Sequence, residues 1–195
     1  SHGEKITVHG ALTGLCGAGV PNRSHSMNMT AMNKLTYDLE NCTVTAESGA
    51  SFEEIEAVVT RESKMKREFP VSPTEKTATI GGAVSLGSAG VRSYKYGSVA
   101  DFVEEIELCD VNGEIRTLYK KDSDFSSVFG SEGMLGVITK VKLRTVEAQN
   151  SNWGLLFFFE NDESACEFAD RIAGNDCVFA LEYMDRACFE LLSQY

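Results

Sequence analysis

Glycine is placed where few other residues would serve, in three clusters that each adjoin an extended segment. The longest lies in Thr77 to Gly97, TATIGGAVSLGSAGVRSYKYG, with Gly81, Gly82, Gly87, Gly90 and Gly97 among small side chains. Such a stretch can reach positive φ and can bring its N–H groups close to a phosphate or a flat polar ring. It is therefore expected to form one wall of a cofactor site rather than to serve packing alone. A second cluster, Gly10 to Pro21 (GALTGLCGAGVP), follows the strand-like segment Lys5 to His9. Its spacing is not that of a dinucleotide-binding Rossmann turn, and no amphipathic helix follows. Two readings stay open for it alone: a backbone nest for an anion, with the Thr13 hydroxyl as an added donor, or a tight turn with no ligand. The third cluster, Gly130 to Thr139 (GSEGMLGVIT), leads into a strand from Val137 to Val146. On that strand Val137, Val141 and Leu143 are expected on one face, and Lys140, Lys142 and Arg144 on a solvated other face.

The segments between these clusters alternate strands and helices. A hairpin is expected over Asn33 to Glu47 with its turn at Glu40 and Asn41, and a helix over Ser51 to Arg67 opened by a Ser51/Glu54 capping box. Pro70 and Pro73 fix an extended lead-in to the long glycine stretch and deliver Ser72 and Thr74 beside it. Asn112-Gly113 between apolar runs signals a second hairpin. From 149 to 152 the composition turns polar. Beyond it come WGLLFFF, expected as a buried strand, a helix from Ser164 to Ala173 stopped by Gly174, a strand VFALEYM, and a helical piece from Asp185 to Tyr195. This predicts an α+β chain with one domain over 1–148 and the start of a second over 149–195. Ser1 to Gly3 are expected to be an added or cut end.

Composition narrows the class of partner. With 29 acidic against 18 basic residues, the net charge of -11 argues against nucleic acid or an anionic membrane, so an anionic ligand must be held by local donors. The 6 cysteines show neither close pairs nor a cysteine–histidine cluster with metal spacing, and are expected as reduced, mostly buried thiols in a cytoplasmic protein. No metal site is expected. The longest apolar run, Leu155 to Phe159, is too short to cross a bilayer. Glycosylation-type triplets at Asn22, Asn28 and Asn41 are read as coincidence.

Together, HGALTGLCGAG, the Pro70 to Thr74 lead-in with Thr79-Ile80-Gly81-Gly82, Tyr96-Gly97 with Asp101, and GSEGMLGVIT resemble the FAD-binding (PCMH-type) domain of the vanillyl-alcohol oxidase / p-cresol methylhydroxylase superfamily. The branch they are most similar to is the D-lactate and glycolate dehydrogenase one, and the likeness covers roughly residues 5 to 147. The resemblance implies mixed and antiparallel sheets with flanking helices, and FAD held by Gly10, Ala11, Leu12, Thr13, Gly14, Leu15, Gly17, Pro73, Thr74, Thr79, Gly81, Gly82, Ser88, Gly90, Tyr96, Gly97, Glu132, Gly136, Val137 and Ile138. It implies a flavin-dependent oxidation of a 2-hydroxy acid such as D-lactate or glycolate, with an electron-accepting protein as a partner. Departures from the pattern are His9 for an arginine, Leu12 for the central glycine of the first loop, and Ala83 and Gly87 for two asparagines. His9 and Cys16 are read as a strand-end residue and a small packed thiol rather than as flavin attachments. ALEYMD, Ala180 to Asp185, resembles the entry into a substrate-binding cap. Against the family, an N-terminal strand–helix unit, most of the cap and a distal histidine-bearing segment are missing. The chain is therefore expected to be a fragment, not catalytically complete, with no catalytic base to name. Two alternatives stand beside this reading: a flavin module that only relays electrons, and a related domain that no longer holds FAD.

Overall fold

The computed structural model describes residues 4–194; the expected end at Ser1 to Gly3 lies outside them, as does Tyr195. β1 (Ile6–His9) pairs in parallel with β2 (His25–Asn28), bridging a loop that holds the first glycine cluster. The expected hairpin is present as β3 (Leu35–Asp38) and β4 (Thr43–Glu47). They join β6 (Val103–Cys109), β7 (Ile115–Tyr119) and β8 (Val137–Arg144) in an antiparallel sheet of order β3-β4-β8-β6-β7. Non-consecutive strands meet at its centre, so the ends of β4, β6 and β8 fall together although they are far apart in sequence.

One face of this sheet is covered by helices. α1 (Phe52–Glu62) starts at the expected Ser51/Glu54 capping box and buries Phe52, Ile55 and Val59. It ends at Ser63, short of the expected Arg67, because Lys64 and Met65 take positive φ and turn the chain into β5 (Arg67–Glu68). β5 pairs with β9 (Val146–Glu147). Val44, Ala46, Ile106, Leu108, Val141 and Leu143 meet the helices in the core.

The expected face pattern of β8 needs one correction. Between Glu107/Leu108 and Lys140/Ile138 the pairing slips at a bulge around Thr139, so Ile138 rather than Val137 joins Val141 and Leu143 in the core. A bulge adds one residue and reverses the alternation beyond it. The other sheet face is charged, with cross-strand pairs Lys140–Glu107, Lys142–Glu105 and Arg144–Glu104. The Thr139 hydroxyl, 2.7 Å from Glu107 Oε1, is the main cause holding that carboxyl below the usual carboxylate range, with Lys140 adding to it against burial.

Beyond 148 the expected strands are absent: neither WGLLFFF nor VFALEYM is extended against a partner, and Trp153 is 87% exposed. A strand needs a neighbour for its N–H and C=O groups, and no strand flanks these segments among the described residues. α4 (Asp162–Ile172) and α5 (Arg186–Leu192) do form, capped by Asn161 and Asp185. Neither helix buries a residue; Phe157 and Phe159 meet Phe168 of α4 and Phe158 meets Phe189 of α5. Asp162 accepts from the Tyr183 hydroxyl at 2.7 Å, pushing that phenol up to about 12.

The cysteines also depart from expectation. None of the 6 is buried: Cys42 and Cys109 are half-buried and the other four exposed, all unpaired. Cys16 lies on an exposed loop and Cys166, Cys177 and Cys188 lie in the C-terminal region, where no core forms around them. No helix among the described residues is long and apolar enough to cross a membrane.

Candidate functional site

The first glycine cluster is a surface loop whose backbone donors are unspent. Among the described residues no N–H from Gly10 to Gly19 donates to a protein acceptor; the loop's one internal bond runs from the Val20 N–H to the Gly17 carbonyl. Unpaired N–H groups in a glycine-rich bend form an anion-binding concavity. Ala11, Gly14, Leu15 and Gly17 are exposed and Thr13 is half-buried. Gly17 has φ +74° with open space around it, and Leu12 is held at φ +58° while 61% exposed. His9 is engaged at both ring nitrogens, Nδ1 with the Gly10 carbonyl and Nε2 with Ser26 Oγ, each at 2.9 Å.

The long glycine stretch begins as a helix. Ile80–Leu86 forms helix α2, with Ile80, Gly81, Ala83 and Val84 buried, and the positive φ angles fall at Gly87 and Gly97. Gly81 is there for packing: a Cβ on it would stand 2.5 Å from the Ser48 Cβ. The first half of this run therefore serves packing as well as any ligand. α2 is nevertheless the piece on which all three clusters meet. A methyl on Gly10 would stand 3.0 Å from both Cβ and Cγ2 of Thr79, the residue before α2, and closer still to its Oγ1. Leu86 lies beside Gly14. From the third cluster, Glu132 donates its N–H to the Ser85 carbonyl at 3.0 Å, and Gly130 N lies against Gly87.

The remaining wall follows directly from α2. Gly90 packs so tightly against Ser72 that a Cβ would meet its backbone, and Val91 donates to the Ser72 carbonyl at 2.9 Å. Pro73 is half-buried in this lead-in and Thr74 is exposed. Ser88 accepts from the Val99 N–H, and Ala89 bridges Ser98, closing a loop that contains α3 (Ser93–Tyr96). Gly97 lies against the Asp101 carboxylate, which accepts from the Ser98 N–H at 2.8 Å. Tyr96 packs on Phe102 at 6.1 Å; burial, then the Glu68 charge, push its phenol up, with Arg92 opposing. At the third cluster Glu132 has φ +51°, and Gly136 touches the Cys109 carbonyl. Gly82 and Val137 are half-buried, whereas the Thr79 and Ile138 side chains are buried; a ligand contact from Gly81, Thr79 or Ile138 would pass through the main chain.

Two features have no counterpart in the sequence reading. β2 fixes the far end of the first loop, as the Met29 N–H reaches the His9 carbonyl at 2.9 Å. Ser48, 2% exposed, leaves its Oγ without a partner directly beneath α2. The short segment HSMN alternates too weakly to announce a strand, and nothing local marks Ser48.

Three glycine clusters on one helix, with free N–H groups for an anion and small residues for a flat ring, define a domain that binds a nucleotide cofactor. The chain belongs to the FAD binding domain family, which matches residues 1–119. It is 35% identical to a D-lactate dehydrogenase of Anaerostipes hadrus over 81% of this chain and 34% of that protein. It is 33% identical to the glycolate oxidase subunit GlcD of Bacillus subtilis (strain 168) over 100% of this chain and 43% of that protein. A variant of berberine bridge enzyme superposes with a TM-score of 0.67 at 26% identity, over 74% of this chain and 30% of that one. The chain thus spans less than half the length of these relatives. The residues fit the cofactor that the family implies: the unspent donors suit a pyrophosphate, and at Gly10 and Gly90 an added Cβ would fill the contacts that shape the wall.

Proposed function

We propose that this chain is the cofactor-holding part of a flavin-dependent oxidoreductase that oxidises a 2-hydroxy acid such as D-lactate or glycolate. The observation that carries it is the run of free N–H groups from Gly10 to Gly19 seated against Thr79 and α2, in a chain similar to a D-lactate dehydrogenase and a glycolate oxidase subunit. FAD, when bound, supplies the acceptor for the hydride. The chain's own residues hold and orient it. The 10–19 N–H groups neutralise the pyrophosphate without a basic side chain, which matters in a chain of net charge -11. The hydroxyls of Thr13, Thr74 and Ser88 add donors, and Gly90, Gly97 and Gly136 let the backbone close in. On this reading 1–148 is the FAD domain, 149–195 opens the substrate domain, and electrons pass on to a protein acceptor in the cytoplasm. The test is to mix the whole protein that contains this chain, purified with its flavin, anaerobically with D-lactate, glycolate and other 2-hydroxy acids. Bleaching of the flavin absorbance by one of them is expected. Absorbance unchanged by every one of them overturns the substrate class.

A further inference from the structure

α3 is one turn long, and Arg92 before it offers no side-chain cap. A helix of this length cannot hold itself in water, so its conformation is decided by what packs on it. One set of contacts comes from the first domain. Arg92 donates to Glu68 Oε1 at 2.6 Å and to the Phe69 carbonyl at 3.2 Å, and Tyr96 lies edge-on to Phe102. The other set comes from beyond residue 148. Lys95 Nζ donates to the Asp176 carbonyl at 2.5 Å and stands 4.1 Å from the centre of the Phe179 ring, while Tyr96 and Phe179 are 5.9 Å apart. Phe179 is half-buried in a region where neither α4 nor α5 buries a residue.

α3 also sits at the tip of the loop closed by the Ala89–Ser98 bridge, and that loop carries Gly90 and Gly97 of the candidate site, with Ser88 flanking it. A shift of α3 must pass into the bridge, because Gly97 donates to Ser93 and Val99 to Ser88, both at 2.9 Å. We infer that α3 is a coupling element: docking of the 175–180 segment through Phe179 and Lys95 and filling of the flavin-facing stretch 88–97 stabilise each other. The inference rests on the flavin reading above. Phe179 and Lys95 act as positioning residues, since they reach the site only through Tyr96 and the bridged loop. Coupling of this kind is reciprocal: whatever docking contributes to cofactor affinity, the cofactor returns to docking.

The experiment uses the 195-residue chain, wild type and with Phe179→Ala, Phe179→Tyr or Lys95→Met. FAD is titrated by its change in fluorescence, and amide exchange is followed with and without FAD. Phe179→Ala is expected to weaken FAD binding about fivefold, the lower end of typical coupling. Phe179→Tyr, which keeps the ring, should stay within about twofold of wild type. FAD should slow exchange over 175–180. Lys95→Met removes the cation over the ring at an exposed position and should weaken binding about twofold to threefold; it decides the matter where Phe179→Ala fails to fold. Wild-type binding with Phe179→Ala and Lys95→Met unchanged, or no protection of 175–180, overturns the coupling alone. A wild-type chain that binds no FAD overturns the flavin reading and the coupling with it.

Discussion

Replacing Gly10 by alanine tests whether the first turn rests on the residue that opens α2. The new methyl would stand 3.0 Å from Thr79 Cβ and Cγ2 and nearer still to Oγ1, on a residue that is 5% exposed. Thr79 has little room to retreat, being bridged to Ser51 and followed by the Ile80 N–H bond to the Ala50 carbonyl at 2.8 Å. Overpacking of this kind costs about 1–3 kcal/mol, and the upper half of that range is expected here. Gly17→Ala is the comparison, since Gly17 has φ +74° and nothing within 4 Å; its cost is the left-handed backbone alone, about 1 kcal/mol. The decisive variant is Gly10→Ala with Thr79→Ala, which removes Oγ1 and Cγ2 and leaves Cβ in place. The assay is urea unfolding of wild type, Gly10→Ala, Thr79→Ala and the double variant, read as a double-mutant cycle, with Gly17→Ala measured beside them. The double variant should lose less than the two single variants together by about 1 kcal/mol or more. Strict additivity, or a Gly10→Ala chain as stable as wild type, would refute the close approach of the first turn to α2.

Three further outcomes follow from single features. Leu12→Asn should raise stability by about 0.5–1 kcal/mol, because asparagine tolerates the φ of +58° that leucine holds under strain while 61% exposed; a lowered urea midpoint would contradict this. Ser48→Ala should be neutral or stabilising by up to about 1 kcal/mol, as it removes a buried hydroxyl with no partner, whereas a hydrogen-bonded serine would lose about that much. Tyr183 should ionise near a pH of about 12 in a spectroscopic titration. Its folded value is raised, so the bond to Asp162 is fully present below the ordinary tyrosine range and is lost as pH rises through that value; Asp162→Asn should bring the ionisation back down.

The parts of this fold written in local chemistry were legible in advance. The Ser51/Glu54 capping box, the Asn112-Gly113 hairpin and the β3–β4 turn each depend on neighbours in sequence, and each formed where expected. The family was legible from the three glycine clusters, because their order and text are specific together. Where the reading failed, distant partners decided the outcome. That Ile80–Leu86 is helical and that Gly81 packs on Ser48 is invisible in composition, because Ser48 lies far from Gly81 in sequence. The β8 faces shifted because a bulge is set by the pairing with β6 rather than by alternation within β8. WGLLFFF has the composition of a buried strand, yet strand formation requires a partner, and Phe157 and Phe159 turn to α4 instead. Of the four exposed thiols that were expected in a core, three belong to that same C-terminal region and Cys16 to the first loop, while Cys42 and Cys109 are half-buried.

Titrating the purified chain with FAD, and precipitating the saturated complex with acid, decides whether these three turns together hold the cofactor. Saturable binding is expected, lost or much weakened in Gly10→Ala, with all the yellow flavin released into the supernatant, since both His9 ring nitrogens are engaged within the protein. A chain that shows no saturable binding, or one that keeps its colour in the acid pellet, rules out non-covalent FAD held by these turns.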